Sequence, residues 1–282
     1  MIKTYYLLTK PGIIMGNLIT TASGFALASR GHFEASLFLM TMIGLGMIIA
    51  SACVFNNFID RESDKKMERT KNRPLAKGLI SSNKAIIFAS LLGIGGTVFL
   101  TLFTNLIAVL TAVAGFIIYV VLYSFFKHRF TSATLIGSIA GAVPPVVGYC
   151  AVSNMLDIGA ILFFLILVLW QMPHFFSIAI YRFSDYVSAS IPVLPALKGN
   201  YATKRQMLLY ILGFISACVL LLVFGYTGYF YLSVAAVLGV IWLILCIKGF
   251  KSENDTLWAK QMFRFSLVVI TGLSLMISLD VR

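Results

Sequence analysis

The stretch Gly44 to Asp64, G-L-G-M-I-I-A-S-A-C-V-F-N-N-F-I-D-R-E-S-D, starts as an unbroken apolar run and ends on a row of polar and acidic side chains. Asn56, Asp60 and Asp64 fall four residues apart, with Glu68 one step further. On a helix four residues advance 400°, so each member of the series lies about 40° from the last and about 6 Å further along the axis. Three acids then share one stripe. Like charges at this spacing repel, and an ordinary solvated face would pair acid with base there, as Glu62 can with Lys66 off the stripe. A cationic partner is therefore expected to compensate.

The apolar run is one of many. The chain has 282 residues, is 60% hydrophobic and 11% charged, and has a mean hydropathy of +0.95, which puts it outside the range of soluble domains. A spanning helix needs about 20 mostly apolar residues. Nine such runs stand at roughly 11–29, 35–56, 83–103, 105–125, 133–152, 158–180, 206–225, 228–248 and 263–280. They show no sustained alternation, which disfavours a β-barrel, and their Gly, Ala and Ser content suits helices that pack closely in lipid. The expectation is an all-α polytopic membrane protein. No separate soluble domain fits, so residues 1–282 read as a single transmembrane domain.

Cytoplasmic connections of such proteins collect Lys and Arg. With the N-terminus inside and nine spans, 20 of the 22 basic residues fall on the inner side, and only Arg30 and Arg282 fall outside. The same count puts the C-terminus in the periplasm. The net charge of +12 thus follows from topology and contact with the lipid bilayer, and nucleic acid is not implied. The opening ten residues carry no cleavable signal pattern, so a bacterial inner membrane is the expected location. Cys53, Cys150, Cys218 and Cys246 are scattered through apolar runs and form no C-x-x-C pair, so neither a disulfide framework nor a thiolate metal site is indicated.

Two cytoplasmic connections are long, about 57–82 and 181–205, and function is expected on that side. In the first, Asn56, Asp60 and Asp64 offer hard oxygen ligands of the kind Mg²⁺ takes alongside substrate phosphates. Arg69, Lys71 and Arg73 come soon after and suit phosphate oxygens, Arg by its planar fork and Lys as a point charge, with Glu68 among them. In the second, Asp185 stands with Tyr181 and Arg182 just after a span. Facing the first ladder, Asp185 would complete a second cation site.

These residues resemble the UbiA-like intramembrane prenyltransferases. The N-x-x-x-D-x-x-x-D ladder and the run R-T-K-N-R-P-L, Arg69 to Leu75, look like the first signature of that superfamily. Supporting stretches are L-T-K-P-G-I from Leu8, C-V-F-N-N-F-I-D from Cys53, G-A-V-P-P-V-V-G-Y from Gly141, W-Q-M-P-H-F from Trp170 and D-Y-V-S-A-S-I-P-V-L-P from Asp185. Together they look closest to the haem-farnesylating branch. Ala189 stands where related members carry the second acid of a second ladder.

The resemblance implies nine helices around a central cavity that opens near the cytoplasmic surface. It implies farnesyl diphosphate and haem B as substrates, Mg²⁺ as cofactor, and transfer of farnesyl to a haem vinyl group with addition of water, giving haem O. Asp60, Asp64 and Asp185, with Asn56, would hold the metal, and Arg69, Lys71 and Arg73 would share in neutralising the leaving diphosphate. Haem-copper oxidase assembly factors or haem A synthase are the protein partners it suggests. His174, within a span just after Pro173, would contact haem or orient water, or else bond a backbone carbonyl freed by the proline. Asn17 would face the cavity near the diphosphate or bond a neighbouring helix. His128 reads as a solvated loop residue, and Pro144 and Pro145 as a bend around a bulky substrate.

Two rivals stand beside this reading. A prenyltransferase of the same architecture could act on another aromatic or tetrapyrrole acceptor, which the acidic ladder cannot distinguish. A cation-coupled transporter would need acids near the bilayer midplane, whereas nearly all acids here lie in connections.

Overall fold

A computed structural model of the chain describes residues Ile2 to Arg282; Met1 lies outside the described residues. After a short α1 (Ile2–Leu8) come α2 (Pro11–Ser29), α3 (Ala35–Asp64), α4 (Ser82–Phe103) and α5 (Leu106–Ile117). The last of these runs through a π-helical stretch, Ile118–Tyr123, into α6 (Ser124–Phe126). Beyond it lie α7 (Ala133–Ser153), α8 (Ile158–Tyr181), the short α9 (Phe183–Ser188), α10 (Leu194–Val223), α11 (Tyr229–Lys248) and α12 (Asp255–Leu279). Nine helices among the described residues are long and apolar enough to cross a membrane, and the chain is a multi-pass membrane protein. In lipid every backbone N–H and C=O must be satisfied within the segment, which is why so apolar a chain resolves into helices.

The helical bounds differ from the apolar runs in an instructive way. α3 continues from the end of its apolar run to Asp64, so the acidic ladder stays on one helix, and Lys65 closes it. α12 begins at Asp255, where Asn254 caps it by accepting from the Leu257 N–H, well before the apolar run that marks its span. α10 is broken at Gly199, whose φ of 76° no side chain adopts readily, so its membrane portion starts after that residue.

Packing depends on small residues. A Cβ on Gly24 of α2 would meet the Pro145 carbonyl oxygen of α7 at 2.0 Å, and one on Gly148 would meet the Thr21 carbonyl oxygen at 2.2 Å. The two backbones approach closely there because each helix sets a glycine against the backbone of the other. α7 runs through Pro144 and Pro145 without leaving the helix, and both are buried against α2. α3 packs along α4, and α8 lies among α7, α10 and α12, with α11 joining α10 to α12. Leu91, Leu102 and Phe230 are exposed on the outer surface, as a lipid-facing wall requires.

Candidate active site at the C-terminal end of α3

The acid stripe of α3 is buried. Asn56, Asp60 and Asp64 are 3%, 7% and 1% exposed. Each meets a different cation from a different part of the chain. Lys10 Nζ donates to Asn56 Oδ1 at 2.6 Å. Lys127 Nζ donates to Asp60 Oδ2, and His128 Nε2 lies 3.7 Å from Asp60 Oδ1. Arg73 Nη1 reaches both oxygens of Asp64, at 2.9 and 2.8 Å.

Local structure explains how these three cations arrive. Lys10 sits between α1 and α2 with φ 52°, in the left-handed region that a side chain adopts at a cost, immediately before Pro11. α1 is tied down behind it, because Asn57 Nδ2 donates to the Leu8 carbonyl at 2.8 Å. Lys127 comes after the π-helical stretch, where the wider turn shifts the facing of every later residue on that helix. Tyr119 and Tyr123 stack there with centroids 5.4 Å apart, and the Lys127 ammonium lies 5.3 Å from the Tyr123 ring. Arg73 comes from the turns after α3. Thr70 Oγ1 donates to the Asp64 carbonyl at 3.0 Å, while Met67 and Leu75 bury beneath that loop.

The second connection closes on the first. Asp185 Oδ1 accepts from the Glu68 backbone N–H at 2.9 Å, and Ser188 Oγ donates to the Lys66 carbonyl at 2.9 Å. Asp185 is 6% exposed. The Arg182 guanidinium lies over the Tyr181 ring at 5.2 Å, with its Nε buried and unpartnered. Ala189 is buried too.

Charge at the site is balanced against burial. Withdrawal from water, and then the nearby Arg73, bring the Lys10 ammonium down to about 8. Burial likewise lowers Lys127, with Asp60 pulling the other way, and raises the Tyr186 phenol. Three polar atoms remain sealed from solvent without a hydrogen bond, namely Asp60 Oδ1, Asn56 Nδ2 and Arg182 Nε. A buried carboxylate oxygen left so is costly unless something positive or protic joins it.

The sequence expectations divide accordingly. Asn56, Asp60 and Asp64 share one buried face, with Arg73 upon them and Asp185 tied to the same loop. Glu68 does not extend the ladder: α3 stops at Asp64, and the Glu68 side chain turns outward to Lys71 at 2.6 Å. Only its backbone serves the site. Arg69 and Lys71 are exposed at the rim. Asn17 donates to the Ile13 carbonyl of its own helix at 2.8 Å. His174 bonds no freed carbonyl, and its Nδ1 instead meets Ser266 Oγ of α12 at 2.7 Å. His128 is not a solvated loop residue, since the turn after α6 carries it to Asp60. Glu62 pairs with Lys65 at 2.9 Å rather than with Lys66.

No group of three or more His, Cys, Asp or Glu side chains is gathered closely enough to hold one ion among the described residues. The reason is the ladder spacing itself, which sets successive acids about 6 Å apart and gives each its own cation. Sequence reasoning missed Lys10, Lys127 and His128. The signal for them was indirect: a buried acidic stripe with no base of its own must be neutralised from elsewhere.

A crevice of about 520 Å³ between α3, α4 and α5 is lined by Ile48, Ser51, Phe55, Gly93 and Phe116. Phe55 is set about 100° round α3 from Asn56, so the crevice and the acid stripe occupy different faces of that helix.

Comparison with known proteins adds to this geometry. The model of the UbiA prenyltransferase family matches residues 17–268. A protein from Protochlamydia amoebophila named protoheme IX farnesyltransferase is 55% identical over 280 residues, covering 99% of each chain. Among solved structures, one from work on the biosynthesis of digeranylgeranylglyceryl phosphate synthase in membranes superposes with a TM-score of 0.82. It is 20% identical and the match covers 99% of this chain and 97% of that one. A UbiA homologue from Archaeoglobus fulgidus, bound to DMAPP and Mg²⁺, gives a TM-score of 0.74 at 14% identity, covering 95% of this chain and 99% of the other.

Proposed function

The chain belongs to the UbiA prenyltransferase family, and from that premise we propose that it transfers a farnesyl group from farnesyl diphosphate to a vinyl group of haem B. Water adds to the product, which is haem O. Residues 1–282 act as one transmembrane domain in a bacterial inner membrane, with the N-terminus in the cytoplasm and the C-terminus in the periplasm. The acceptor and the chain length are supported by the likeness to the Protochlamydia amoebophila protein along the whole chain.

One observation carries the chemistry: Lys10, Lys127 and Arg73 each reach one of Asn56, Asp60 and Asp64 on the buried stripe at the end of α3. The cations are more numerous than the acids need once a metal is present. The fit of that metal rests on Asp60 Oδ1, a buried carboxylate oxygen with no hydrogen bond, the His128 ring standing off at 3.7 Å. Mg²⁺ commonly uses only one or two carboxylates together with phosphates, so a tight cluster of three acids is not required. Asp60 and Asp64 would hold it, with Asn56 and Asp185 beside them. When bound, it would neutralise charge on the leaving diphosphate.

The rest falls to the protein. Lys127 and Arg73 turn from the carboxylates to the phosphate oxygens, joined by Lys10 and, at the rim, Arg69 and Lys71. These groups hold charge where it develops as the allylic C–O bond breaks. The allylic carbon then bonds to the terminal vinyl carbon of haem, which needs no general base. The cation left on the porphyrin side is captured by water, whose extra proton returns to solvent. The apolar bundle keeps water from the first cation until the C–C bond has formed.

The test is purified protein given haem B, farnesyl diphosphate and Mg²⁺, with mass analysis of the haem afterwards. The expected product has gained one farnesyl group and one hydroxyl group. Unchanged haem would overturn the assignment.

A further inference from the structure

His174 has a defined tautomer, and the tautomer is that of a metal ligand. Ser266 Oγ donates its single proton to the Phe263 carbonyl at 2.6 Å. The 2.7 Å contact between Ser266 Oγ and His174 Nδ1 must therefore run from the ring N–H to the serine oxygen. That leaves the lone pair on Nε2, across the ring. Nε2 has no hydrogen bond among the described residues and is not sealed by protein, for it is absent from the buried atoms that lack partners.

The ring is also held in place. Trp170 stacks on it with centroids 4.9 Å apart and planes 25° from parallel, and Phe263 lies 5.0 Å away. Trp170 is fixed in turn, since its Nε1 donates to the Ser266 carbonyl at 2.8 Å. One serine thus orients both the imidazole and the indole behind it. A histidine that donates one nitrogen to a fixed acceptor and presents the other is the arrangement by which proteins hold metal-ligating imidazoles.

His174 lies seven residues from Tyr181, two turns along the same face of α8, or about 10 Å from the end beside Arg182 and Asp185. An iron bound at Nε2 would thus lie about two helical turns along α8 from the proposed diphosphate site, a separation within the span of a porphyrin and its substituents.

We propose that His174 Nε2 is the axial ligand for the iron of the porphyrin substrate, with Ser266 as its positioning residue. The proposal rests on the reading of haem as acceptor. Ligation fixes the plane of the macrocycle perpendicular to the Fe–N bond, and so decides which edge, and which vinyl group, meets the allylic carbon. No electron changes hands in this step; the imidazole lone pair fills a vacant position on iron.

The experiment uses the full-length purified protein, titrated in detergent with ferric protohaem and, separately, with metal-free protoporphyrin IX, with no farnesyl diphosphate present. The wild type is expected to show a Soret band and electron paramagnetic resonance of a histidine-ligated haem, and to bind protohaem more tightly than the metal-free ring. His174→Ala should lose the band and that preference, and added imidazole should restore the band. Ser266→Ala should keep the band but bind haem about tenfold to a hundredfold more weakly. A His174→Ala protein with the wild-type band, or a wild type indifferent to iron, would overturn the proposal. Turnover in the same preparation separates the two claims: wild-type conversion of haem with an unchanged His174→Ala band defeats the ligand assignment alone, whereas no farnesylated haem defeats the reading beneath it.

Discussion

Asp60 and Asp64 are buried acids whose partners are cations from distant parts of the chain, and their substitution separates charge from shape. Asp60→Asn and Asp64→Asn keep the volume but lose the carboxylate. Each is expected to reduce kcat by about 100-fold or more, the scale for removing one electrostatic contact to a transition state, while the protein still inserts in the membrane. Steady-state rates of haem farnesylation, with detergent-extracted yield as the control, check this. Near-normal turnover in either variant would contradict the metal role. Lys10 gives a pH signature. Its ammonium is brought down to about 8, below the ordinary lysine value, so its positive charge is present below that pH and lost above it. Farnesyl diphosphate binding should weaken as pH rises through about 8, and Lys10→Arg, which stays charged, should flatten that limb. Isothermal titration between neutral and alkaline pH reads both. The acids of this site were legible in the sequence because four-residue spacing is a local property. Lys10 and Lys127 were not, because what brings them to the ladder is the packing of α1 and α6 against α3, a contact across 46 and 67 residues that no local pattern records.

At the scale of the element, the apolar runs located all nine spans, because hydrocarbon solvent leaves few alternatives to helix. They misplaced the ends where polar residues continue a helix beyond the lipid: α3 runs on to Asp64, and α12 starts at Asp255. The π-helical stretch Ile118–Tyr123 was hidden altogether, since its composition is that of any span. Its consequence is the facing of Lys127. Inserting one alanine after Tyr123, just beyond that stretch, would keep the wide turn but rotate α6 and Lys127 by about 100°. The insertion should leave circular dichroism unchanged but reduce turnover as much as Lys127→Met does; full activity would show that the facing of Lys127 is dispensable. Close helix contact makes a second prediction. Gly24→Leu forces a side chain into the Pro145 carbonyl and should destabilise the protein by about 1–3 kcal/mol or more, read as a lower Tm in detergent.

For the molecule as a whole, the bundle brings three cations onto three buried polar side chains at the C-terminal end of α3, where the head of the proposed diphosphate would meet them while its tail stays among apolar helices. Burial makes each ion pair expensive to keep and costly to break singly, so a site of this kind favours exchange of partners over simple loss. That exchange is the centre of the account. It is tested most directly by a structure of the protein with Mg²⁺ and a non-hydrolysable farnesyl thiodiphosphate. The account predicts Lys127 and Arg73 on phosphate oxygens, with Asp60 and Asp64 released to the metal. A diphosphate bound elsewhere, with the Lys127–Asp60 and Arg73–Asp64 pairs intact, would contradict it.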